Sequence, residues 1–222
     1  MVSVTDRGGW LGGNARAAAS RRALTHRKVF RTVDRLLKDT PFADLTVERI
    51  CQETGIARST FYNHFPDQAT LLIELAEDVF AASHDVVSPW WDADHQLTRD
   101  ELAAVLTAVA ALYERHRPLL VALSDAGGVE PTVRAGFARM FDVHIMRFAD
   151  YLRRGQEHGF VASRIHPEQT AGWIIWMIER GLYQLFGDEK SGERERLSEA
   201  LTDVVWGTLH SGTRADLPPD SR

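Results

Sequence analysis

The sequence predicts an all-α protein: an N-terminal three-helix helix-turn-helix domain followed by a larger C-terminal helical domain that serves ligand binding and dimerisation. Three observations carry that prediction. Apolar residues recur at helical spacing along most of the 222 residues, and strand-like alternation occurs nowhere. Gly55 separates two short helical patterns, VERICQET and RSTFYNH. Positive charge gathers at the N-terminal end: residues 1–65 hold 11 Lys+Arg against 6 Asp+Glu and the remainder 15 against 25, so +5 and −10 sum to the net −5. A basic quarter on an acidic body suits contact with a polyanion, although chance variation among solvated charges gives such a split too.

Residues 1–19 are rich in Gly, Ala and Asn without apolar periodicity, which predicts a flexible basic arm carrying Arg7 and Arg16. From Ser20 to about Lys38, Ala23, Val29, Phe30, Val33, Leu36 and Leu37 mark a first helix. A turn-bearing DTPFADL follows, and Thr46 is a good N-cap for a helix that turns Val47, Ile50 and Cys51 inward. Gly55 supplies a turn, a short helix runs from about Arg58 to His64, and Pro66 stops it. The helix-turn-helix domain therefore spans 20–66 and the helical body 67–212.

A longer helix is expected from about Asp67, with Leu71, Leu72, Leu75, Val79 and Phe80 on one face, and SPWWDADHQLT at 88–98 is expected as a loop. Further helices are expected over about 99–116, 118–125, 130–158, 168–186 and 193–210, and 213–222 as a disordered tail.

Composition narrows the function. With 44% hydrophobic residues the chain is not globally disordered. No apolar run is long enough to span a bilayer and the polar start MVSVTDRGG is no secretory signal, so a cytoplasmic location and no membrane partner are expected. The one cysteine, Cys51, permits neither an internal disulfide nor a cysteine-based zinc site. No glutamate has a histidine three residues on, as a di-iron bundle needs. H-E-x-x-H, G-x-S-x-G and a phosphate-binding glycine loop are also missing. No catalytic residue, metal or cofactor is therefore predicted.

The polar residues around Gly55 point elsewhere. Phe61 and Phe65, four apart, can lock a short helix onto its neighbours. Arg58, Ser59, Thr60, Tyr62, Asn63 and His64 are then left outside. A second helix of this kind fits the major groove of DNA. Arg58 suits guanine edges, Tyr62 and His64 suit phosphates, and Thr60 or Asn63 either. A merely structural helical hairpin would carry the same spacing.

The run LTVERICQETGIARSTFYNHFPDQATLL closely resembles the signature of the TetR family of bacterial transcriptional regulators, T-x-x-x-I-x-x-x-x-G-x-x-x-x-T-[FLY]-Y-x-[HY]-F. Thr46, Ile50, Gly55, Thr60, Phe61, Tyr62, His64 and Phe65 hold its positions in register. The resemblance implies a homodimer joined through its last two helices, a palindromic double-stranded DNA operator, and a pocket for a small hydrophobic ligand. It adds Thr46 to the expected DNA-binding residues. Ala57 departs from the Ser or Thr that usually caps the recognition helix, which costs about 1 kcal/mol. Gln68 and Ala69 replace a common Lys-Glu pair, removing a phosphate contact. Arg16, Arg21 and Arg22 can compensate from the arm and first helix.

In the body, WIIWMIERGLYQLF at 173–186 is apolar nearly all round, as a helix between a dimer interface and a core would be; an ordinary central core helix has the same pattern. The segment from Pro131 to Gly212 looks similar to the mycobacterial ethionamide-resistance repressor group, through MIERGLYQLFGDE and DVVWGTLHSG. That register implies Phe137, Phe141, Ile175, Ile178 and Trp206 as pocket residues, with Leu102 and Val109 from an earlier helix. Ile175 and Ile178 stand where that group has asparagines, implying a more apolar ligand, or one anchored by His144 or Tyr183. Glu179 and Arg180 suit a ligand anchor or a charge pair across a dimer. The resemblance implies a regulator of the repressor type, released when ligand shifts the recognition helices. An activator of the same fold, or a helical carrier or enzyme without DNA function, are the alternatives.

Overall fold

The computed structural model describes the backbone of residues 9–186 and 191–210, and the side chains of 22–186 and 192–210. Residues 1–8 of the expected arm, the side chains of Arg16 and Arg21, and the expected tail at 213–222 lie outside the described residues. All regular structure among the described residues is helical. The chain divides into two compact units, residues 1–75 and 76–222.

The first unit begins with α1, Gly9–Leu36. It starts well before Ser20 because the alanine-rich ARAAAS segment has high helix propensity, which apolar periodicity does not register. Val29 and Val33 are fully buried and Leu36 nearly so. A single 3-10 turn at Phe42–Asp44 leads to α2, Val47–Thr54. Thr46 caps α2, its hydroxyl accepting from the Arg49 N–H at 3.2 Å. Gly55 ends it in the left-handed region, φ 68°, where a side chain would be strained, and its N–H reaches the Cys51 and Gln52 carbonyls. The α1–α2 pair is tied outside by an Arg35–Glu53 ion pair of 2.7 Å.

The short helix α3, Arg58–His64, follows directly. Phe61 and Phe65 are fully buried with ring centroids 5.4 Å apart, and Phe65 lies 4.6 Å from the His26 ring of α1. These two aromatics fix which face of α3 points out. Asp67 then caps α4, Gln68–Trp91, by accepting from the Thr70 N–H at 2.7 Å. The Gln68 amide donates back to the Leu45 carbonyl, so the departure from Lys-Glu does a structural job.

The expected loop at 88–98 is shorter than predicted, because α4 runs on through Pro89 to Trp91. Proline removes the N–H that would bond the Asp85 carbonyl. The Ser88 hydroxyl donates to that carbonyl instead, at 3.4 Å. Trp90 and Trp91 are both buried, Trp90 packing on Phe148 at 4.7 Å, and this burial holds the last turn in place.

The second unit continues with α5, Arg99–Arg115, which opens on a complete Thr98/Glu101 capping box. Next come α6, Arg117–Val129, and α7, Pro131–His158. The prediction ended α6 at 125, before Gly127 and Gly128. It persists because Arg134 donates to the carbonyls of those two glycines, at 2.9 and 3.0 Å. Then follow α8, Pro167–Leu185, and α9, Ser191–His210. α7 packs between α6 and α8, while α5 pairs with α9. Gly155 of α7 lets the 160–161 turn approach closely: a Cβ there would sit 2.3 Å from Val161 Cγ2. No helix among the described residues is long and apolar enough to cross a membrane.

Candidate functional sites

The outer face of α2 and α3 is the first site. Arg58, Ser59, Tyr62 and Asn63 are exposed and Thr60 is half-buried, so the two phenylalanines sort the helix as their spacing predicts. Ala57 starts α3 with no side-chain cap, leaving its first amides open to an outside acceptor. Arg22 is exposed on α1. Thr46 is exposed too, but its hydroxyl is engaged in capping.

Two placements differ from simple outward display. His64 is half-buried: its Nδ1 is enclosed without a hydrogen-bond partner and its ring meets His26 edge-on at 5.2 Å. Burial, then the neighbouring His26 and Arg22, lower its pKa and favour the neutral ring. Arg58 is paired within the protein, to Glu48 of α2 at 2.5 Å. The Tyr62 hydroxyl acts on the same guanidinium and, with Glu48, raises its pKa.

Buried beneath this face, Cys51 is a free thiol. Burial is the largest influence on it and raises its pKa, so it is an unreactive core residue rather than a redox sensor.

The second site is a cavity of about 120 Å³ in the second unit, enclosed by α4, α5, α6, α7 and α8. Val109, Phe137, Phe141, His144, Ile175 and Ile178, all anticipated from the sequence, line it. Three anticipated residues lie off it. Leu102, one turn before Leu106, is packed into the core short of the cavity. Tyr183 turns its hydroxyl to Asp125 at 2.5 Å, and packs against the cluster of Ala110, Tyr113, Leu182 and Phe186. Trp206 belongs to α9, which supplies no wall, and lies 4.2 Å from His210.

His144 is held within the protein. Its Nδ1 donates to the Met140 carbonyl at 3.1 Å, which leaves Nε2 as an acceptor 2.9 Å from the Ser83 hydroxyl, whose one proton is shared with the Phe80 carbonyl at 2.8 Å. Burial lowers its pKa, and His84 and Arg147 push the same way.

Sequence reasoning missed the α4 wall (Val79, Phe80, Ser83, Val87, Trp90, Trp91) because a loop was expected at 88, although the helical spacing of 79, 80, 83, 87 and 90 was available. It also missed Tyr113, one turn beyond Val109, and left Glu179 undecided; both line the cavity. Among the described residues no cluster of His, Cys, Asp and Glu could hold a metal ion.

With this geometry in place, comparison with other proteins is decisive. Residues 33–75 match the family described as bacterial regulatory proteins, tetR family. The HTH-type transcriptional regulator EthR of Mycobacterium tuberculosis is 35% identical over 194 residues, covering 84% of this chain and 87% of its own length. This chain belongs to the TetR family. EthR of Mycolicibacterium smegmatis is 23% identical over 193 residues, covering 83% of this chain and 88% of that one.

Solved TetR-family structures share the fold. A regulator from Syntrophomonas wolfei superimposes with a TM-score of 0.69 at 14% identity, covering 83% of this chain and 95% of its own. One from Mesorhizobium loti gives 0.65 at 17%, covering 86% and 98%. Like its TetR-family relatives, this chain is a DNA-binding transcriptional regulator and not an enzyme.

Proposed function

We propose that this TetR-family chain is a cytoplasmic repressor that binds a palindromic operator as a homodimer and leaves it when a small hydrophobic ligand enters the second unit. The observation that carries the operator part is the outward row Arg58, Ser59, Tyr62 and Asn63 on a helix pinned by buried Phe61 and Phe65. Arg58 reads a guanine edge, Tyr62 and Asn63 hold phosphate or a base, and Thr60 supports them. Arg22, with Arg16 and Arg21 on the same helix, neutralises backbone phosphate, and Thr46 helps through the cap it makes.

The dimer part is supported by an uncovered apolar face. On α8, Trp173 is 79% exposed and Leu185 53%, with Met177 beside them in helical register, and Val204 of α9 is also exposed. A monomer gains nothing by showing these side chains to water, whereas pairing through α8 and α9 covers them. The ligand part is supported by the apolar cavity and by α4, one continuous helix that supplies its wall and also belongs, through its first eight residues, to the recognition unit. A ligand favouring one placement of α4 lowers operator affinity by its differential affinity for the two states.

Single substitutions test the operator contacts. Arg58→Ala is expected to weaken specific binding by about 1–3 kcal/mol and to relax selectivity at one base pair. Tyr62→Phe is expected to weaken all sequences alike. Competition binding against single-base operator variants separates these outcomes, and unchanged specific affinity in Arg58→Ala would show that α3 is docked wrongly.

A further inference from the structure

Two acceptor atoms among the cavity's lining residues lack a hydrogen-bond partner: the Tyr113 hydroxyl and Glu179 Oε2. Their residues are 6% and 8% exposed. Enclosing such groups unpaired is costly, and a carboxylate more so than a hydroxyl. A helix that needed only packing at 179 would carry leucine there, as it does at Leu182 one turn on. Trp91 Nε1 on the same wall also lacks a partner, but it is a donor only, and His144 and Ser83 bond each other. Among the described wall residues, the buried acceptors left without any hydrogen-bond partner are therefore this pair.

Their surroundings decide what they await. Burial raises the Tyr113 pKa to about 12, and the Glu179 charge acts in the same direction. Burial also raises Glu179, although the Arg180 charge and the Ser124 hydroxyl oppose it. Arg180 comes no nearer to Oε2 than 3.6 Å, beyond a hydrogen bond, because it is drawn elsewhere. Its guanidinium lies 4.8 Å over the Tyr183 ring and reaches the Ser124 hydroxyl at 3.4 Å, on the outer side. Arg117, the other nearby cation, is bonded to the Phe186 carbonyl at 3.0 Å. A carboxylate whose Oε2 still lacks a hydrogen-bond donor is complementary to a ligand that brings one.

Building on the effector role proposed above, we infer that this cavity selects a small apolar amine, whose ammonium donates to Glu179 Oε2 and the Tyr113 oxygen while its apolar body fills the aromatic chamber. The chamber suits such a body: Phe137 and Phe141 meet edge-on at 4.9 Å, and Phe80 meets Phe141 edge-on at 5.0 Å. At about 120 Å³ it admits a group near the size of a benzene ring, comparable with engineered apolar cavities of about 150 Å³ that bind benzene. A larger amine must move helices to enter, which is what release from DNA requires.

The test uses three isosteric probes on the full-length protein: benzylamine, benzyl alcohol and benzoate, each in a thermal unfolding series. Benzylamine is expected to raise Tm by about 2–4 °C near ten times its Kd, benzyl alcohol to act more weakly and benzoate not at all. Glu179→Gln should weaken the amine about tenfold or more while leaving the alcohol unchanged, and that retained binding shows the cavity is intact. Tyr113→Phe should weaken the amine about two- to tenfold. Equal effects of amine and alcohol, preference for benzoate, or no response to any probe would each overturn the amine assignment. Operator binding, measured on the same samples without probe, reports separately on whether the regulator itself stands.

Discussion

Arg58 is committed to Glu48, 2.5 Å away, so the base contact proposed for it would be an exchange of one carboxylate partner for a base edge or phosphate. Both side chains are more than half exposed, so the exchange is cheap in water and grows cheaper with salt. Neither partner can be assigned this role from spacing, because a contact between α2 and α3 depends on the crossing of the two helices. His144 shows the same limit: its position on the cavity wall was legible, but its satisfaction by Met140 and Ser83 was not. It carries a pH signature. Burial lowers its pKa from the ordinary 6.5, with His84 and Arg147 adding to the effect. Its neutral form is the folded one, so this contribution to stability is complete above the unfolded value and is lost as pH falls through and below it. Between about pH 7 and about pH 5 the protein should lose Tm, and His144→Gln should lose less of it. Parallel loss in both proteins, followed by thermal unfolding, would assign the effect to other groups.

At the scale of elements, the helix-turn-helix was the most legible part because its constraints are local. A capped start at Thr46, an obligatory left-handed residue at Gly55 and aromatics four apart leave little freedom for the chain between them. Boundaries set by tertiary contacts were less legible. α4 passes Pro89 because two tryptophans downstream are buried and a serine replaces the lost donor. α6 passes two glycines because Arg134, from the next helix, holds their carbonyls. α8 was legible in a different way: apolar on every face, it demanded covering on every face, and the structure leaves Trp173 of that helix 79% exposed. Trp173→Asp should therefore hardly change the stability of the single chain, yet shift sedimentation velocity from dimer toward monomer. A variant that stays fully dimeric would place the interface on another surface.

At the scale of the whole molecule, two units carry two chemistries. The first gathers arginines and hydrogen-bonding side chains outside a small aromatic core, which suits a polyanion. The second surrounds an apolar cavity with five helices and leaves a carboxylate oxygen, a hydroxyl and an indole N–H of its described lining residues without hydrogen-bond partners. The family to which the chain belongs was legible in one short run of residues, whereas the chemistry of the cavity was not, because Tyr113 and Glu179 lie on different helices and come to line one cavity only on folding. α4, Gln68–Trp91, contributes its first eight residues to the first unit and the rest to the second. The most direct test is fluorescence anisotropy of the full chain with the duplex upstream of its own gene, against a scrambled duplex, at about 50 and about 200 mM salt. A regulator of this kind binds its own duplex tightly and selectively, and weakens steeply as salt rises. Equal and salt-insensitive binding to both duplexes, repeated against operators selected from random DNA, would contradict it.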